Sequence, residues 1–130
     1  MSSRTILTIT SILLFATGGL AVFAADEVAG LMELEVSFET RIFAEFAGIG
    51  MLALAVQNWM SRARPIGGVY ARPLGLGNLL FFSTSALTLG RYLAAETLPR
   101  EMIAVCGVFA LLALAFAWLV FFSQPAADNH

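Results

Sequence analysis

Residues 102–122 read MIAVCGVFALLALAFAWLVFF, a run of 21 residues without a charged side chain. An α-helix of about 20 residues rises about 30 Å, which is the thickness of the hydrocarbon core of a bilayer. This run is apolar all round, whereas the strands of a membrane β-barrel alternate apolar and polar residues. The stretch therefore predicts a membrane-spanning α-helix.

Three further stretches have the same length and character. They are residues 5–25, residues 42–61 with Glu45 near the start, and residues 73–95 with Arg91 near the end. Together with residues 102–122 they leave almost no chain for a soluble domain. The connections between the later stretches are short, which favours antiparallel neighbours. The sequence predicts an all-α protein with one transmembrane domain, an integral membrane four-helix bundle.

The first stretch has a second interpretation as a cleaved signal peptide. Arg4 precedes it, and small residues flank Phe23 just before Ala25, where a signal peptidase would cut. Its uncharged run is longer than the 7–15 residues of a typical signal core and spans the full depth of a bilayer. We expect the first span to be retained; cleavage would leave three spans.

The composition excludes several classes of function. Hydrophobic residues make up 59% of the chain and charged residues 12%, and the mean hydropathy of +0.85 is too high for a soluble domain of this size. A formal charge of -2 leaves no basic surface for nucleic acid. Cys106 and His130 are the single cysteine and histidine, too few for a CxxC motif, a histidine metal site or a Ser-His-Asp triad. We expect no cofactor, no metal and no enzymatic activity.

The arginines predict how the chain crosses the membrane, because cytoplasmic loops are enriched in Lys and Arg. Four of them fall on one predicted side: Arg4, Arg62, Arg64 and Arg72. The other side receives Arg41, Arg100 and an acidic group of residues, Asp26, Glu27, Glu33, Glu35 and Glu39. Both termini are therefore predicted to be cytoplasmic. The complete lack of lysine is typical of a GC-rich genome and favours a bacterial inner membrane.

Glu45 and Arg91 are the charged side chains inside predicted spans, where each costs about 2.5 to 3.5 kcal/mol to insert. Glu45 lies 16 residues from Ser61, about 24 Å along the helix, and Arg91 lies 18 residues from Pro73, about 27 Å. These matched depths predict a buried ion pair between them. In the competing interpretation, Glu45 pairs with Arg41 four residues earlier and Arg91 extends outward to the membrane surface.

Small residues recur at four-residue intervals in three of the spans. The pairs are Ala44 with Gly48, Ala86 with Gly90, and Ala113 with Ala117. Such pairs let helix backbones approach closely, which is how helices associate in lipid. The pattern indicates packing within the bundle, with dimerisation through the fourth span as the alternative.

Besides the four-helix layout, the sequence contains two short motifs, RIFAEFAGIG at residues 41–50 and LGRY at residues 89–92. In these features the chain resembles a widespread family of small bacterial four-helix membrane proteins of unknown function. The layout covers most of the chain, and the motifs cover these two stretches. The resemblance implies a membrane-embedded bundle and no known activity.

The expected function follows from these features. A non-enzymatic accessory or partner-binding component fits a small bundle embedded in the lipid bilayer, acting as a homo-oligomer or within a larger membrane complex. The alternative is a small oligomeric transporter or channel whose polar site contains Glu45 and Arg91. A membrane enzyme is disfavoured because the candidate acid and base groups are dispersed along the chain.

Overall fold

The computed structural model describes residues 2–31, 33–63 and 72–122. Over these ranges the chain forms α-helices and no β-strand, which confirms the all-α prediction. The helices are α1 (Ser3–Phe23), α2 (Ala25–Leu31), α3 (Phe38–Ser61), α4 (Arg72–Ala94) and α5 (Met102–Phe121). Four of them match the four predicted stretches, and the short helix α2 follows directly after α1.

The start of α3 lies four residues ahead of the start of the predicted span, because Ser37 caps the helix. Ser37 has an extended backbone, and its Oγ accepts a hydrogen bond from the Thr40 backbone N–H at 3.2 Å. This is the usual way to satisfy an unpaired N–H group in the first turn of a helix. The predicted boundary at residue 42 marked the start of the apolar run, and the helix itself begins at Phe38.

The ends of α2 and α4 share one geometry. Glu33 follows α2 with φ 55° and Glu96 follows α4 with φ 56°, both in the left-handed region. In each case a backbone N–H reaches back five residues, from Leu34 to the Ala29 carbonyl at 2.9 Å and from Thr97 to the Tyr92 carbonyl at 3.1 Å. These bonds stop the helices without the glycine that usually occupies such a position.

The chain divides into two compact units. The first runs from Thr5 to Arg62 and contains α2, α3 and most of α1. Within it, Gly18 of α1 meets Gly48 of α3, and Ser11 of α1 bonds to Ala55 of α3. The later residue of α1, Gly18, therefore contacts the earlier residue of α3, Gly48, so the two helices are antiparallel.

The second unit contains α4 and α5, which pack through an aromatic core. The Phe82 ring stacks on the Phe116 ring at 5.9 Å between centroids and meets the Phe109 ring edge-on at 5.4 Å. Phe82 and Phe116 are fully buried. Aromatic pairs in these arrangements add about 0.5 to 1.5 kcal/mol each beyond the burial of their area.

Three of the described helices, Ser3–Phe23, Phe38–Ser61 and Met102–Phe121, are long and apolar enough to cross a membrane. The chain is therefore a helical protein with three helices in its described ranges that could each span a membrane, which indicates a membrane protein. The third predicted span, residues 73–95, is present as helix α4 but is not among these three. The hydropathy of α4 is lower because the helix carries Asn78, four Ser or Thr residues and Arg91 among its apolar residues.

Candidate functional site

Two glycines face each other where α1 packs against α3. A Cβ atom at Gly48 would lie 2.8 Å from the Gly18 carbonyl oxygen and 2.8 Å from Val22 Cγ2. A Cβ atom at Gly18 would lie 2.8 Å from the Gly48 carbonyl oxygen. The two backbones are thus in direct contact, which a side chain at either position would prevent.

Gly48 was predicted to pack, together with Ala44, because of its four-residue spacing; Gly18 was missed. Gly18 has no small residue four positions away on α1, since Leu14 and Val22 occupy those positions. A signal existed at a longer interval, because Ser11 and Gly18 are seven residues apart and lie on one face of the helix. Both are buried.

Hydrogen bonds extend this interface along the helices. The Ser11 hydroxyl donates to the Ala55 carbonyl oxygen of α3 at 2.8 Å, and both residues are buried. The Thr17 hydroxyl donates to the Leu13 carbonyl at 2.8 Å and lies 3.7 Å from Met51 Sδ. Interhelical bonds of this kind contribute about 0.6 kcal/mol on average in membrane proteins.

Beside this interface lies an apolar groove of about 410 Å³. It is lined by Ser11, Ile12, Phe15, Ala16, Ala55, Val56 and Trp59. At the Trp59 end, Cζ of Arg62 lies 3.6 Å from the centre of the Trp59 ring, and Arg62 Nη1 donates to the Trp59 carbonyl at 2.6 Å. The groove therefore has apolar walls, and the Arg62 cation lies against Trp59, one of its lining residues. No periodicity or motif in the sequence marks this groove.

The ion pair at the opposite end of α3 differs from the local pairing considered from the sequence. Arg41 Nη2 lies 2.7 Å from Asp26 Oδ1, which joins α3 to α2. The two side chains are 46% and 53% exposed, so the pair contributes at most about 1 kcal/mol. The structure thus gives Arg41 a carboxylate partner other than Glu45.

Glu45 and Arg91 lie in different units, Glu45 half-buried on α3 and Arg91 exposed near the end of α4. Arg91 Nη2 donates to the Tyr92 hydroxyl at 3.3 Å, and Cζ of Arg91 lies 4.9 Å from the centre of the Tyr92 ring. Tyrosine at this position suits the interface between lipid and water. The pairing of Glu45 with Arg91 stays a prediction.

The remaining predicted packing residues lie in the second unit. The Cys106 thiol of α5 donates to the Ala86 carbonyl of α4 at 3.4 Å, and a Cβ atom at Gly90 would lie 4.0 Å from Cys106 Sγ. Ala86 and Gly90 therefore lie close to α5. Ala113 and Ala117 are half-buried on α5.

A second recess, of about 310 Å³, is bordered by Thr84, Ser85, Thr88, Leu89 and Phe109. The Thr84 hydroxyl at its edge donates to the Leu80 carbonyl at 2.6 Å. In the described ranges, no three His, Cys, Asp or Glu side chains gather where they could hold a metal ion. Arg64 and His130 lie outside the described residues.

Comparison of the chain with protein-family models, with curated proteins and with solved structures finds no match.

Proposed function

We propose that this protein is a multi-pass inner-membrane protein with four spans, α1, α3, α4 and α5, and with both termini in the cytoplasm. It acts as a non-enzymatic accessory component that binds other membrane helices. The observation that supports this most is that polar side chains of the helices donate hydrogen bonds to backbone carbonyls of the same chain. Thr10 bonds to the Ile6 carbonyl, Ser11 to the Ala55 carbonyl, and Thr84 to the Leu80 carbonyl.

Internal hydrogen bonding of this kind matters because an unsatisfied polar group in lipid costs several kcal/mol. Every buried side-chain nitrogen and oxygen in the described residues has a hydrogen-bond partner. The exposed surfaces of the helices are mostly apolar, and such surfaces suit contact with lipid or with another helix. They offer little to a polar substrate.

The same reasoning supports α4 as the fourth span. Asn78 is buried, and its Nδ2 donates to the Leu74 carbonyl at 2.9 Å. Ser83 and Thr84 both donate to the Leu80 carbonyl. These bonds lower the cost of placing the polar residues of α4 in lipid. Arg91 is close enough to the end of α4 to reach the membrane surface.

The best candidate surface for a partner helix is a stripe on α5. It consists of Leu111, Leu114, Trp118 and Phe121, which follow one another at intervals of three, four and three residues and so share one face. All four side chains are exposed in the isolated chain. Large apolar side chains in such a stripe provide the van der Waals contacts that hold helices together in membranes.

Photo-crosslinking in intact membranes tests this proposal. A photoreactive amino acid at position 114, where Leu114 is 67% exposed, should give a protein adduct of defined mass. The same amino acid at position 116, where Phe116 is 0% exposed, is the matched control and should give none. An adduct with a second copy of this chain would identify a homo-oligomer. Lipid adducts alone at position 114 would contradict the proposal.

A second candidate function, a small oligomeric transporter or channel, is favoured by the hydroxyl-lined recess between α4 and α5. Its pathway would include Glu45 and Arg91. Ion flux into proteoliposomes distinguishes the two functions, and we expect none from the wild-type protein. Flux that is lost in Glu45→Gln and kept in Glu39→Gln, the same change at the exposed end of α3, would replace the accessory function by transport.

A further inference from the structure

We propose that the groove between α1 and α3 binds an anionic phospholipid, with part of one acyl chain in the groove and the phosphate on Arg62. The groove belongs to the first unit, and α1 and α3 are both candidate membrane spans. The inference is therefore independent of the partner function proposed above and of whether α4 crosses the membrane.

The walls of the groove suit an acyl chain. Ile12, Phe15 and Val56 present apolar side chains to it, and the Ser11 hydroxyl is already bonded to the Ala55 carbonyl. The lining residues of α1 run from Ser11 to Ala16, about 8 Å along the axis. A volume of about 410 Å³ is that of a small-molecule site.

The charge at the groove's end selects the headgroup. Cζ of the Arg62 guanidinium lies 3.6 Å from the centre of the Trp59 ring, and Trp59 lines the groove. Of the five N–H donors of a guanidinium, one bonds to the Trp59 carbonyl. The planar fork of arginine matches the geometry of a phosphate, and tryptophan favours the headgroup level of a bilayer. A lipid whose chain follows the groove would bring its phosphate to Arg62.

Native mass spectrometry of the full chain tests the headgroup contact. The protein is released from detergent with equal amounts of phosphatidylglycerol and phosphatidylcholine carrying the same acyl chains. We expect the wild type to retain phosphatidylglycerol preferentially. Arg62→Gln should weaken that binding about fivefold, the effect of about one basic residue near an anionic surface.

The control for charge is Arg72→Gln, which removes one arginine from the exposed start of α4, predicted to lie on the same side of the membrane. It should leave the preference unchanged. An equal loss in both variants would show that the arginines act only through the overall charge of the protein, and equal binding of the two lipids by the wild type would show that no headgroup is selected. Either result would overturn the proposed site.

The groove itself is tested by filling it. Ala16 is exposed and lines the groove, so Ala16→Leu should displace the acyl chain and reduce binding of both lipids. Ala53→Leu adds the same volume at an exposed position of α3 outside the groove and should bind as the wild type does. If the Ala16→Leu variant bound lipid as well as the wild type does, the proposal would be overturned. It would also be overturned if the wild type formed a lipid-free dimer that Ala16→Leu dissociates, since a second copy would then occupy the groove.

Discussion

At the scale of single residues, the contact between Gly18 and Gly48 determines how closely α1 and α3 pack. Gly48→Ala would place a methyl group 2.8 Å from the Gly18 carbonyl oxygen. We expect the free energy of unfolding to fall by about 1 to 3 kcal/mol, the usual cost of overpacking. Unfolding in mixed micelles, followed by circular dichroism, measures this loss.

Gly50→Ala is the matched control on the same helix. A Cβ atom at Gly50 would have no neighbour within 4 Å, so the substitution should be neutral or stabilise the helix by up to about 1 kcal/mol. Equal stability of the Gly48→Ala and Gly50→Ala variants would show that the backbones do not touch.

Glu45 has two candidate partners, Arg91 and Arg41. If Glu45 and Arg91 pair within the membrane, a double-mutant cycle with Glu45→Leu and Arg91→Leu should give a coupling of about 0.5 to 2 kcal/mol, because removing both members of an ion pair in lipid costs less than removing one. A cycle with Glu45→Leu and Arg41→Leu should give almost none, since Arg41 already binds Asp26 at 2.7 Å. Strictly additive effects in the first cycle would eliminate the Glu45–Arg91 pair.

The residues that the sequence pointed to and those that it missed differ in a physical way. Gly48 stood out because small residues at four-residue spacing are a property of one helix. The partners Gly18 and Asp26 lie 30 and 15 residues away in the chain from Gly48 and Arg41. Pairings between elements depend on how the helices dock, which periodicity within one helix does not reveal.

At the scale of the elements, α4 and α5 are held together by the aromatic core around Phe82. Phe82→Ala should reduce the free energy of unfolding by about 3 kcal/mol, because the ring is fully buried and its loss leaves a cavity. Leu87→Ala, at an exposed position of the same helix, should change it by less than about 0.5 kcal/mol. Detergent unfolding of both variants provides the comparison; similar losses would show that the Phe82 ring is not a packing centre.

The helices themselves were predictable because long apolar runs have few other stable structures in lipid. Their ends were less predictable. The cap at Ser37 moves the start of α3 outward, and the left-handed Glu33 and Glu96 stop α2 and α4 without glycine. These features depend on local hydrogen bonds, whereas hydropathy marks only the apolar part of each helix.

At the scale of the whole molecule, the contacts of α1 argue that the first span is retained. Ser11 and Gly18 contact α3, and loss of α1 would expose that face. Mass spectrometry of the protein purified from membranes should find peptides that precede Val22. A mature N-terminus at Ala25 would show instead that α1 is removed as a signal peptide.

We propose that α4 crosses the membrane despite its polar residues, so that four spans place both termini in the cytoplasm. The most direct test is a fluorescent reporter that matures only in the cytoplasm, fused after His130 or inserted between Thr97 and Leu98. With four spans, the fusion after His130 should fluoresce and the insertion should not. Fluorescence from the insertion alone would contradict the claim, because α4 would then stay on the cytoplasmic side and α5 would carry the C-terminus across.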